Sequence, residues 1–261
     1  MNDTAPPVLL ERDGAIATLR FNRPSALNAI DVPLARAFLA AVQTVAADAT
    51  VRAVVLRGNG RGFMAGGDLA TLRADPVQGA ADLLAPLNAA LPLLAGMNAP
   101  VIAQVHGAAA GAGLSLMLMA DYVLAAEGTQ FNLAYIHLGT SCDVGASWAL
   151  PRLVGTRKAL EIAMLSEPFQ ADEALRLGLV NRVVPAAELD AATDAIARRF
   201  AAGPTLAYGA MKRLMTTSME RTLPEQLAQE ASAFLRCAGT QDFRAGVEAF
   251  HARQPAKFAG R

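Results

Sequence analysis

Two stretches of the chain are rich in glycine and alanine and nearly free of reactive side chains. They are Gly58-Asn59-Gly60-Arg61-Gly62-Phe63-Met64-Ala65-Gly66-Gly67-Asp68-Leu69 and His106-Gly107-Ala108-Ala109-Ala110-Gly111-Ala112-Gly113-Leu114. Small residues leave backbone N–H groups uncovered, and two such groups from separate turns can converge on one oxygen where negative charge develops. The chemistry that fits is an oxyanion hole acting on a carbonyl, with a thioester as the natural target. His106 and His137 have no histidine four residues away and no acidic cluster, so they read as strand-end packing or hydrogen-bonding groups rather than metal ligands. Ser115 lies in Gly113-Leu114-Ser115-Leu116-Met117, which lacks the last glycine of a nucleophile elbow. Asp143, two residues before Gly145 and just before a helix expected at Ala146, reads from spacing alone as a helix cap.

The elements that must hold these groups alternate between strand and helix. Residues 8–11 and 15–21 read as strands around a turn at Asp13-Gly14, and Pro33 suits the first turn of a helix over residues 33–47. Strands are expected at residues 51–56, 101–105 and 122–126, and a helix at 82–95. The apolar run 108–120 is too short to span a bilayer and reads as a buried core helix. Short helices are expected at 146–151, 156–165 and 171–177, separated by Gly155, Pro168 and Gly178. From about residue 189 the pattern is wholly helical, with helices ending near 201, then over 204–217, 224–236 and 241–251. This divides the chain into a core, residues 1–190, and an α-helical C-terminal region, residues 191–261.

Composition sets the class. The 261 residues, 53% hydrophobic and 18% charged, suffice for a large core. The 23 basic and 23 acidic residues cancel, so overall charge favours neither nucleic acid nor an anionic membrane as a partner. Cys142 and Cys237 are too few for a disulfide framework, which fits a cytoplasmic location. Residues 1–7 carry neither a basic nor an apolar leader pattern and read as a short flexible lead.

The glycine-rich segments, in this order, resemble those of the crotonase superfamily, the enoyl-CoA hydratase and isomerase family. The resemblance begins at Asn22-Arg23-Pro24-Ser25-Ala26-Leu27-Asn28-Ala29 and continues through the A-G-x-D-L and G-x-A-x-G-x-G patterns. It extends over Pro151-Arg152-Leu153-Val154-Gly155, residues 171–180 and the tail from Phe250 to Arg261. It implies an α/β fold, a spiral of ββα turns with C-terminal helices that join subunits into a homotrimer or a dimer of trimers. It also implies an acyl-CoA substrate and no cofactor or metal beyond the coenzyme A of that substrate. The oxyanion donors then fall on the N–H groups of Gly67 and Ala112, with the start of the following helix adding positive potential. Coenzyme A contacts fall on Arg23, Ala26, Leu27, Ala65, Asp68 and Leu69, and on Phe250 and Lys257 in the tail, which would reach a neighbouring subunit.

The resemblance also bears on the proton. Ser115 and Tyr135 occupy the positions where family hydratases carry two glutamates, and a hydroxyl is a poor general base near neutral pH. Asp143 aligns with a position where several family isomerases carry a carboxylate. It would act as base for a Δ3 to Δ2 double-bond shift, in a pocket that includes Met64, Leu138 and Trp148. Residues 70–91 and the C-terminal helices would shape the acyl pocket. The rival readings are an enoyl-CoA hydratase, an aromatic acyl-CoA dehalogenase with an aspartate nucleophile, and a non-catalytic acyl-CoA or RNA binder.

Overall fold

The computed structural model describes residues 5–73 and 75–261, so residues 1–4 of the expected lead, and Ala74 in the expected pocket region, lie outside the described residues. The chain opens with an antiparallel hairpin of β1 (Val8–Asp13) and β2 (Ile16–Phe21). Its tight turn needs a left-handed residue, which Gly14 supplies at φ +54°. Helix α1 (Val32–Ala47) starts where the Asp31 carboxylate accepts from the Leu34 N–H at 2.8 Å. Its Leu34, Phe38, Val42 and Val45, spaced for one helical face, are buried. After β3 (Ala53–Gly58) and the short α2 (Leu69–Arg73) comes α3 (Pro76–Gly96), which packs on α1.

Helix α3 begins six residues before the expected start, because Asp75 caps it through the Gln78 N–H at 3.0 Å and Pro76 fits its first turn. It is long and apolar enough to cross a bilayer by length and composition. Here its Leu83, Leu87, Leu91 and Leu94 pack into the protein core. The strand expected at 51–56 lies two residues later, where Ala53–Gly58 pairs with β2 on one side and β4 (Val101–Val105) on the other.

The expected single helix over 108–120 is instead two elements, β5 (Ala108–Ala110) and α4 (Ala112–Leu118), broken at Gly111 with φ +51°. Alanine takes either state, and pairing of β5 with β7 (Gln130–Asn132), which follows β6 (Tyr122–Ala126), decides for strand. The two helices expected on either side of Gly155 form one run, α5 (Ala146–Leu165), with non-helical angles at Gly155. Next come β8 (Phe169–Gln170), α6 (Ala171–Arg176), β9 (Arg182–Val184) and α7 (Leu189–Ala201). The last helices, α8 (Thr205–Thr216), α9 (Leu223–Ala238) and α10 (Gln241–Ala252), match the expected bounds within two residues.

The main sheet has the order β1-β2-β3-β4-β6-β9, parallel beyond the first hairpin. A second sheet, β5-β7-β8, is extended by a parallel bridge between Met64 and Ala109. Each turn of the chain therefore places one strand in the main sheet and a shorter extended piece in the second: β3 then Met64, β4 then β5, β6 then β7. One core fills the space between the main sheet and α1, α3 and α4, anchored by Phe21, Phe38 and Phe63. A smaller cluster on the opposite side joins Val55, Ile102 and Leu124 to Leu189 and Ala197 of α7. Buried Arg57 pairs with Asp194 at 3.0 Å, and Gln104 donates to Asp190 at 2.8 Å, which fixes α7 on that side.

Candidate active site

The two glycine-rich segments lie backbone against backbone. The N–H of Phe63 donates to the His106 carbonyl at 2.8 Å, that of Met64 to Ala108 at 3.0 Å, and that of Ala110 back to Met64 at 3.0 Å. A Cβ on Gly113 would sit 2.3 Å from the Met64 carbonyl oxygen, so only glycine permits this approach. A Cβ on Gly66 would fall 3.6 Å from the Ala112 nitrogen, which puts the two turns side by side. Among the described residues, neither the Gly67 nor the Ala112 N–H has a hydrogen-bond acceptor. For Ala112 the reason is its place at the first residue of α4, where the N–H has no intrahelical partner. For Gly67 the parallel bridge to Ile30 uses the flanking Gly66 carbonyl and Asp68 N–H and leaves its own N–H out.

The early turn braces the first segment. Asn28 is fully buried, and its side-chain amide donates to the carbonyls of Asn59, Gly62 and Phe63 at 2.9, 2.9 and 3.1 Å. Its carbonyl accepts from the Arg23 N–H at 2.9 Å. Asn28 has no assigned role in the sequence reading, because the glycine-rich loop it braces lies some thirty residues away and only the fold brings the two together. Arg23 pairs with Asp68 at 3.1 Å and Asp31 at 3.2 Å, so two residues expected at coenzyme A hold the two loops to each other. Ala26, Leu27 and Ala65 are half-buried beside them, and the Ala65 N–H donates to the Leu27 carbonyl at 3.0 Å. Leu69 is exposed.

A chain of hydroxyls leads away from the second segment. Ser115, fully buried in α4, lies with Oγ 3.2 Å from the Gly111 carbonyl oxygen and 2.9 Å from the Tyr135 hydroxyl. The Tyr135 hydroxyl donates to Oδ1 of Asp143. The Asp143 side chain does not cap α5, whose N-cap is Gly145 with no side-chain bond; the capping reading fails because the carboxylate is turned to Tyr135. The backbone enforces the turn: Val144, a β-branched residue, is held at φ +52° and buried. Burial pushes the Asp143 carboxyl above its ordinary range, and the bond from Tyr135 pulls it partly back. Burial and the neighbouring Asp143 charge hold the Tyr135 phenol far above its ordinary value, so it keeps its proton.

The remaining expected residues are dispersed. Met64 is fully buried beneath the junction of the two segments. Leu138 is 56% exposed, and Trp148 is 38% exposed with the Arg152 guanidinium 4.1 Å above its ring. Neither is enclosed in an apolar pocket in the single chain. Phe250 and Lys257 lie exposed in the C-terminal region. His106 bonds the Gly60 carbonyl at 2.9 Å, and His137 lies 3.4 Å from the Ser166 carbonyl oxygen.

The pattern of the Enoyl-CoA hydratase/isomerase family matches residues 11–261. The chain is similar to the 1,2-epoxyphenylacetyl-CoA isomerase of Escherichia coli K12, at 35% identity over 97% of this chain and 98% of the relative. It is also similar to the crotonyl-CoA hydratase of Syntrophomonas wolfei, at 33% identity over 96% and 97%. The crystal structure of an enoyl-CoA hydratase from Mycobacterium smegmatis superposes with a TM-score of 0.91 at 34% identity, covering 97% of this chain and 99% of that one.

Proposed function

Because this chain belongs to the enoyl-CoA hydratase/isomerase family, whose fold it shares, we propose that it moves a double bond of an acyl-CoA thioester from C3 to C2. Asp143 removes a proton from C2, and the C–H electron pair passes into a dienolate. The negative oxygen rests on the N–H groups of Gly67 and Ala112, and Asp143 returns the proton at C4. One carboxylate suffices, because the proton taken is the proton given back.

The observation that carries this reading is the Asp143 carboxylate, turned away from the helix it precedes and linked through Tyr135 and Ser115 to the helix that begins at Ala112. Hydration also needs a group that deprotonates water. Ser115 and Tyr135 stand where that group would be, and neither hydroxyl ionises near neutral pH, with burial and the Asp143 charge holding the Tyr135 phenol further up. Coenzyme A lies along Ala26, Leu27, Ala65 and Leu69 in this reading, with Arg23 and Asp68 shaping the loop. Phe250 and Lys257 of one copy reach the adenosine of another. The exposed apolar side chains of Met215, Met219, Leu223, Phe234 and Leu235 on the C-terminal helices and their connection are the surface through which copies assemble as a homotrimer or a dimer of trimers.

The test is a parallel assay with a 3-enoyl-CoA and a 2-enoyl-CoA, following conjugated thioester formation and water addition separately in wild type and Asp143→Asn. The expected result is isomerisation that drops by at least about a hundredfold in Asp143→Asn, with little hydration in either protein. Hydration that survives the substitution would overturn the assignment in favour of a hydratase.

A further inference from the structure

We propose that Ser115 is a positioning residue whose hydroxyl moves from Tyr135 to the Gly111 carbonyl when Asp143 takes up the substrate proton, strengthening the Ala112 N–H as an oxyanion donor at that moment. This rests on the reading of Asp143 as base and the Ala112 amide as donor.

Ser115 has one hydroxyl hydrogen and two acceptors in reach, the Tyr135 oxygen at 2.9 Å and the Gly111 carbonyl oxygen at 3.2 Å. Which acceptor holds it depends on Asp143. With Asp143 ionised, Tyr135 donates to a full negative charge, and that bond makes the phenol oxygen a better acceptor for Ser115. With Asp143 neutral, the phenol is less polarised and its oxygen competes poorly with a peptide carbonyl. The hydroxyl rotates to Gly111 without any heavy atom moving. Tyr135 keeps its own proton throughout, so the three groups relay polarity rather than a proton. Ser115 is fully buried and Tyr135 nearly so, which removes water as an alternative partner.

The carbonyl of Gly111 and the N–H of Ala112 belong to one peptide group. A hydrogen bond accepted at that oxygen draws density from the nitrogen and makes the N–H a stronger donor. The Gly111 oxygen already accepts the Ser115 backbone N–H at 3.0 Å, so the hydroxyl adds a second bond on the same atom. The proton that leaves C2 resides on Asp143, the electron pair resides in the dienolate, and return of the proton at C4 resets Ser115 to Tyr135. The hole is therefore strongest while the oxyanion exists and weaker while the neutral thioester is bound. That difference is what catalysis requires.

The experiment uses Ser115→Ala, Tyr135→Phe, the double variant and Asp143→Asn in the full chain. It reads turnover of a 3-enoyl-CoA and the absorption maximum of bound trans-cinnamoyl-CoA, whose red shift reports polarisation of the thioester carbonyl. Loss of the switch in Ser115→Ala lowers kcat by about two- to sixfold with KM within about twofold, the share that a bond-strength change of this kind makes of one oxyanion donor. In Tyr135→Phe the Ser115 hydroxyl has only Gly111 left, so the bound chromophore is shifted further to the red than in wild type. Adding Ser115→Ala removes that extra shift. A merely structural Ser115 would give the same spectral effect in both backgrounds, and that result would overturn the proposal. Full turnover by Asp143→Asn would instead remove the base assignment and the proposal with it. An inactive Asp143→Asn with no dependence of the Ser115 effect on Tyr135 would remove the proposal alone.

Discussion

At the scale of single residues, the charge on Asp143 is tied to folding as well as to the proposed chemistry. Burial raises its pKa above the ordinary 3.8, so the folded chain holds this proton more tightly than the unfolded chain does. Between pH 3.8 and the raised native value, stability then falls as pH rises, and the penalty remains in full above that window. Asp143→Asn keeps an oxygen to accept from Tyr135 and carries no charge. It should therefore melt at a higher temperature than wild type near neutral pH, with the gap closing as pH is lowered through the window. Thermal scans at a neutral and an acidic pH check this, and an unchanged gap would mean that the ionised carboxylate is not strained by its surroundings. With Asp143 as the proposed base, the site would trade stability for readier proton uptake.

At the scale of elements, the junction of the two glycine-rich segments is the most sensitive part of the design. Gly113→Ala forces a Cβ to within 2.3 Å of the Met64 carbonyl oxygen, so α4 must withdraw from the first segment. It should cost about 1–3 kcal/mol of stability and lower kcat well beyond what the lost fold fraction explains, because the Ala112 N–H moves with the helix. Gly96→Ala, where a Cβ meets nothing within 4 Å, is the control that should leave turnover at wild type. Denaturant melts alongside kcat separate the two effects. The same junction shows what the residues alone disclose. The close backbone approach of the two segments is legible because clustered glycines leave room for it, and α1 and α7 to α10 are legible because their apolar periodicity is long. The strands β5, β7, β8 and β9, of two or three residues each, are too short to carry a period, and only their partners define them. The contact of Tyr135 with Asp143 likewise depends on left-handed turns at Ala134, Gly139, Val144 and Gly145. Two of those are non-glycine residues that give no signal for such a conformation.

At the scale of the whole molecule, the C-terminal helices present apolar side chains to solvent, Leu235 at 72% exposure and Met219 at 70% among them. A monomer that leaves such residues open gains by covering them with another copy. Leu235→Glu with Phe234→Asp should shift the protein to a smaller species in light scattering after size exclusion, without altering the far-ultraviolet spectrum. An unchanged mass would place the contact elsewhere. The same end of the chain is also tied to the beginning. Arg52 donates to the Gly203 carbonyl at 2.6 Å and the Phe258 carbonyl at 3.1 Å, while the outer edge of β6 is completed by β9. On the ribosome these partners arrive late. At roughly 5–20 residues per second, the apolar edge Leu124–Ala126 waits several seconds for residues 182–184, and Arg52 waits longer still for Phe258. A nascent chain therefore carries an open strand edge at β6 until residues 182–184 have emerged, and a chaperone or a slow, cool expression regime protects that edge until β9 pairs with it.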